Sequence, residues 1–89
     1  MRKFELEEKL LQSLKKLARK DKKRYEIIWK KISEIINSQD VDHYKNLKFP
    51  LNSFKRVHID NSFVLIFKHD KTNDKIIFFD LDHHDKIYK

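Results

Sequence analysis

The stretch "FKRVHIDNSFVLIFKHDKTNDKIIFFDLD" (residues 54–82) decides the fold. Its opening, "FKRVHI" (54–59), alternates: an extended chain puts Phe54, Arg56 and His58 on one side and Lys55, Val57 and Ile59 on the other. "DNS" has the composition of a turn. "FVLIF" (63–67) is an apolar run of strand length, rich in β-formers. "KHDKTNDK" is a polar loop, and "IIFFDLD" (76–82) is a further apolar run. Connections this short join antiparallel neighbours, so the three runs form a meander.

The preceding half has a different period. Leu10, Leu14 and Leu17 recur at spacings of four and three from Glu7 onward, with Leu11 and Ala18 beside them. Asp21 is a candidate N-cap for a second helix. Tyr25, Ile28, Trp29, Ile32, Ile35 and Ile36 then trace one apolar stripe that "NSQD" ends. The link around Lys20–Asp21 is so short that the two helices form an antiparallel hairpin. Residues 2–6, "RKFEL", are a candidate short edge strand or simply the helix entry. A three-strand sheet needs a cover, and the hairpin is the one available. The expected fold is therefore α+β, one domain over residues 1–89, with two helices on one face of a small twisted antiparallel sheet. The opposite face is expected to be free as a working surface.

Composition narrows the function. Apolar and charged residues each make up 39% of the 89 residues, enough for one modest core under a charged surface. The net charge of +7 favours a polyanionic partner, nucleic acid first, with an acidic protein or membrane surface behind it. No stretch approaches a membrane span and no signal-peptide apolar region opens the chain, so the cytoplasm is the expected location. There is no Cys, which removes disulfides, zinc–thiolate sites and thiol nucleophiles. There is no Gly, which removes phosphate-cradling glycine loops.

Three segments carry candidate chemistry. Between Lys15 and Arg24 seven of ten residues are basic, which suits phosphate contacts and equally a solvated helix face. The segment 43–58 interleaves Lys45, Lys48, Lys55 and Arg56 with Tyr44, Phe49 and Phe54. Cations for phosphates and rings for unstacked bases suit RNA, although the same aromatics would also plug a core edge. If Val57 and Ile59 face the helices, Arg56 and His58 face the open side. The ending "DLDHHDKIYK" sets His83 and His84 among Asp80, Asp82 and Asp85. Adjacent ligands seldom converge without a turn, so acid–base chemistry is favoured over a metal site, and no cofactor is expected. A solvated tail is the plain alternative, against which stand Ile87 and Tyr88, whose apolar bodies would pack.

With these elements in place, the chain resembles the RelE/ParE superfamily of toxins from toxin–antitoxin systems. Members tend to show a Leu-Lys-Gly-like turn, a strand like "YRIRV", a turn, a strand like "YRVVY" and a closing "GHR…VY". Here these read Leu47-Lys48, "FKRVHI", "FVLIF" and "DHHDKIY". The glycines of the two turns are replaced by Phe49-Pro50 and Asp60-Asn61. "RVHIDNSFVLIF" is most similar to the YafQ-type branch. The family's arginine after the second turn is absent, since "SFVLIF" offers Phe63 and Val64. The resemblance implies a ribosome-dependent endoribonuclease that cleaves mRNA without a metal and is neutralised by an acidic antitoxin. By position it assigns His58 and His84 to proton transfer, Arg56 to charge stabilisation and Tyr88 to substrate stacking. Lys45, Lys48, Lys55 and His83 would bind RNA. A member that binds RNA or antitoxin without catalysis, and a ParE-type gyrase inhibitor, remain as alternatives.

Overall fold

The computed structural model describes residues 2–83. The chain runs β1 (Lys3–Leu6), α1 (Glu8–Lys20), α2 (Lys22–Asn37), a short 3-10 turn (Val41–His43), β2 (Lys55–His58), β3 (Phe63–Asp70) and β4 (Lys75–His83). Asp21 is the only residue between the helices. Its amide closes α1 on the Leu17 carbonyl (2.8 Å), and its carboxylate caps α2 by accepting from the Arg24 amide (3.1 Å). α1 buries Leu10 and Leu14; α2 buries Ile28, Ile32, Ile35 and Ile36, the stripe its periodicity marks.

The sheet has four strands in the order β1-β4-β3-β2. β2, β3 and β4 form the expected antiparallel meander. The edge strand β1 exists, but it pairs parallel to β4, with Lys3 opposite Lys75 and Leu6 opposite Phe78. The sheet is thus mixed rather than antiparallel throughout. The two helices between β1 and the meander act as a crossover, which is the connection parallel strands need.

Leu65, Phe67, Ile76, Phe78 and Leu81 pack under the helices, and Val57 and Ile59 join them. The helix-facing side of β2 is therefore the Val57 side, and Arg56 and His58 look the other way. That far face is not free as expected. Val64 and Ile66 are buried there under Leu47 of the preceding loop, with Phe54 and Phe79 beside them. The reason lies in β3, whose run "VLIF" is apolar at every position and cannot leave either face in water. A bulge in β4 aligns Phe78 with Phe67 and Asp80 with Ile66, which leaves Phe79 as the extra residue of the ladder.

One electrostatic clamp ties the layers together. The Asp60 carboxylate accepts from the amides of Ser62 (2.8 Å) and Phe63 (3.1 Å), closing the β2–β3 turn. It also accepts from Arg24 Nε (3.0 Å) on α2. Arg24 pairs as well with Asp21 and lies 4.5 Å over the Phe63 ring. The Ser62 amide, followed by Arg24, holds the Asp60 carboxyl below its ordinary value. A lowered folded pKa contributes stability above the unfolded carboxylate range, near pH ~4, and this is lost as pH falls through the folded value. Asp60→Ala should cost about 1 kcal/mol in urea unfolding at pH 7, discounted for the partial exposure of both side chains. The gap between variant and wild type should narrow below pH ~4. An equal gap at pH 7 and pH 3 would contradict this account.

Candidate functional site

The far face of the sheet has an ordered pattern of chemistry. Across β2, β3 and β4 one row reads Arg56, Ile66, Asp80, and the next reads His58, Val64, Asp82. Arg56 and His58 are neighbours on this face, two residues or about 6.6 Å apart along the strand. The loop before β2 extends the sheet. Asn46 bridges to Lys55, Leu47 N donates to Phe54 O (2.9 Å), and Arg56 N donates to Lys45 O (3.0 Å). Leu47 and Phe54 both pack on the far face, so Lys45, two positions from Leu47, stands on that face beside Arg56.

Lys55 has a different place. It is buried, and its ammonium donates to the Tyr44 carbonyl (3.2 Å) and to Asn46 Oδ1 (3.1 Å). Expected at the RNA, it is instead used inside the fold, because it shares the helix-facing side of β2 with Val57. The three interleaved aromatics divide as well. The Tyr44 ring meets Phe67 edge-on in the core, and burial pushes its hydroxyl pKa up. Phe54 meets Phe79 edge-on on the far face. Phe49, beside exposed Lys48 at the loop tip, is 86% exposed.

His83 ends β4 opposite Phe63, with the two rings 4.5 Å apart. Its strand position places it on the side of Leu81, so it is not brought onto the face that holds Arg56 and His58. His84 and Tyr88 lie outside the described residues. Lys68 is a residue the sequence reading missed. It follows Val64 and Ile66 at strand spacing, and its ammonium lies 5.9 Å from the centre of the Phe54 ring. The signal was present in the alternation of "VLIFK" once one face of β3 was assigned.

Beside this cationic row lies a groove of about 400 Å³, lined by Leu47, Leu51, Phe54, Ile66 and Phe79. At its rim Lys9 of α1 pairs with Asp80 of β4 (3.1 Å). The bond to Asp80 raises the Lys9 pKa. The basic run of the helices is split: Arg24 is taken by Asp21 and Asp60, whereas Lys15, Lys16, Arg19 and Lys20 line a shallow groove on α1. Among the described residues no group of three or more His, Asp or Glu could hold a metal ion, and no helix is long and apolar enough to cross a membrane.

Comparison with known proteins gives a consistent result. No family model matches the chain. It is 58% identical over 76 residues to a protein of Methanocaldococcus jannaschii named "Putative toxin RelE4", covering 85% of this chain and 79% of that one. An uncharacterized protein of Methanosarcina mazei is 52% identical over 73 residues, covering 82% and 83% of the two chains. Among solved structures, a metal-bound toxin from Helicobacter pylori superposes with a TM-score of 0.78 at 21% identity, covering 98% of this chain and 99% of that one. YafQ from E. coli superposes with a TM-score of 0.74 at 16% identity over the whole of both chains. The YoeB–YefM complex from Staphylococcus aureus gives 0.75 at 15% identity, covering 94% and 98%.

The contrast between Lys55 and Arg56 is open to test. Lys55→Met keeps the apolar stem but strands two acceptors, so it should lower unfolding stability by about 1–3 kcal/mol. Arg56→Met should change stability much less. Denaturant titration of both variants checks this, and equal losses would mean that Arg56 is held as structurally as Lys55.

Proposed function

The chain belongs to the RelE superfamily of toxins, the toxin half of toxin–antitoxin modules, and on that premise we propose that it is a ribosome-dependent endoribonuclease that cleaves mRNA by acid–base chemistry. The observation that carries the proposal is the placement of Arg56, His58 and Lys45 together on the far face of the sheet. In-line cleavage of RNA needs three things from a protein. A base takes the proton from the 2′-OH, cations hold the charge of the pentacoordinate phosphorus, and an acid protonates the leaving 5′-oxygen. The 2′-oxygen forms the new bond to phosphorus as the bond to the 5′-oxygen breaks. The products are a 2′,3′-cyclic phosphate and a 5′-OH.

His58 serves one of the two proton transfers, and His84 serves the other. Arg56, whose planar fork matches two phosphate oxygens, holds the developing charge with Lys45 beside it. Lys48 and Lys68 follow the strand away from the cut, and Tyr88 stacks a base. Lys55 and His83 have no part in this assignment, given where they lie. The partner that restrains the toxin is an acidic antitoxin protein. The charge of +7 supports that reading, as does a fold similar to a toxin solved in complex with a second protein.

The test is induced expression in bacteria with mapping of mRNA 5′ ends. Growth arrest with new 5′-OH ends in phase with codons is the expected result. His58→Ala should lower cleavage by ~100-fold or more, the range for loss of a positioned acid or base. Arg56→Ala should lower it comparably. Arrest with intact mRNA, or cutting by His58→Ala at the wild-type rate, would sink the proposal.

A further inference from the structure

The groove beside Arg56 is not used by the chemistry above, and its walls and rim have a specific character. Leu47, Leu51, Phe54, Ile66 and Phe79 give it apolar walls with two aromatic rings. At about 400 Å³ it lies near the small end of the range for ligand pockets, a size for one flat heterocycle rather than a helix. Its polar groups are two, adjacent and of opposite kind. The Asp80 carboxylate is an acceptor only; its Oδ1 accepts from the Leu81 amide (2.9 Å) and its Oδ2 from the Lys9 ammonium (3.1 Å), a donor only, and each oxygen keeps a lone pair for a further donor.

Its position also matters. Arg56, Ile66 and Asp80 form one row, so the cation that would hold a phosphate and the carboxylate at the rim are separated by two strand spacings, about 9.6 Å. Between them runs the apolar strip of β3. A nucleotide has this same order: an anionic phosphate, then a flat apolar face, then a hydrogen-bonding edge. Lys45 and Lys68 lie along the phosphate end, and Asp80 lies at the other end. An acidic peptide would be matched by the cations but would meet Asp80 with repulsion.

We infer that this groove is a nucleobase pocket, that it takes one unstacked base of the RNA next to the scissile phosphate, and that Asp80 and Lys9 select guanine there. The inference rests on the nuclease reading above and adds the recognition that reading lacks. Guanine presents two adjacent donors, N1–H and the N2 amino group, which a carboxylate can accept together. Its O6 then meets the ammonium. Adenine and cytosine each offer one amino donor to Asp80 and have no second donor adjacent to it, and uracil presents a single imide donor between two carbonyls. Lys9 is the mobile partner of the pair, with its side chain 74% exposed against 21% for Asp80, so it is Lys9 that swings aside to admit the base.

The test uses purified full-length protein with ribosomes programmed by four messages that differ in one base beside the cut. The rate of cleavage is measured on each. Wild type should cut the guanine message about tenfold or more faster than the uracil message, in the range for one bidentate base contact. Asp80→Asn should lower cleavage of the guanine message until that ratio is near unity, and Asp80→Glu should restore part of it. A merely structural role for Asp80 would lower all four rates together and leave the ratio unchanged, which would overturn the inference. Equal cutting of all four messages by wild type would also overturn it while leaving the nuclease reading intact. If Phe79→Ala then abolished binding of the cognate antitoxin without changing any rate, the groove would be a seat for protein instead. Failure of wild type to cut any message would overturn the nuclease reading itself, and this pocket with it.

Discussion

The strand β3 is apolar on both of its faces, and most of the architecture follows from that constraint. Leu65 and Phe67 on one side and Val64 and Ile66 on the other are all buried. A strand of this kind must lie inside a sheet and be covered twice. Two helices cover one face, which explains why their apolar stripes point inward and why Asp21 suffices as a link. The second face has no helix among the described elements. It is covered in part by the loop before β2, through Leu47 and Phe54, and by Phe79 from the bulge in β4. Fully burying a Leu or Phe side chain contributes about 1.5–3 kcal/mol; Leu47 is buried and Phe54 and Phe79 are half-buried, so each of the two rings contributes a part of that amount.

That second cover shapes the site. Because the loop pairs with β2 through the Asn46–Lys55 bridge, it sets Lys45 beside Arg56 rather than leaving it on a wandering segment. Because the cover is incomplete among the described residues, a groove remains between Leu47, Phe54 and Phe79. The polar positions around it are graded, with cations on the β2 side and carboxylates on the β4 side. One β-sheet face therefore carries an electric gradient across its strands while its centre stays apolar. The bulge at Phe79 is central to this arrangement, since it shifts the register of β4 so that Asp80, and not Phe79, stands opposite Ile66.

Much of this was legible in the sequence where the physics is local. The stripe from Tyr25 to Ile36 has helical period, and the alternation in "FKRVHI" separates Val57 from Arg56 and His58, as the packing bears out. The parallel pairing of β1 was not legible. Phe4 and Leu6 alternate with Lys3 and Glu5, which offers an edge strand but not its direction, and the partner strand lies more than seventy residues away. The free far face was misjudged because a continuous apolar run reads only as "buried" and does not say what buries it. Lys55 was misplaced for a related reason: as a cation in a basic segment it suggested solvent or phosphate, yet its face of the strand is the inner one. Lys68 and Asp80 needed a register across three strands, and a single strand's sequence does not supply one.

The absence of glycine has a consequence that links turns to charge. Tight turns need either a residue that tolerates positive φ or a side chain that replaces a backbone acceptor. Here aspartates do both. Asp74 adopts φ 48° in the β3–β4 turn, where its carboxylate also accepts from Arg2 and His69. Asp60 closes the β2–β3 turn, Asp70 accepts from Asn73 in the β3–β4 turn, and Asp40 and Asp21 cap the helical segments. Five of the fourteen acidic residues are thereby fixed at turns and caps. Their charge is committed to amides and to Arg2, Arg24 and His69. A chain that makes its turns with carboxylates instead of glycines thus fixes part of its charge in the turns themselves, where Arg2 and Arg24 tie the turns to the rest of the fold.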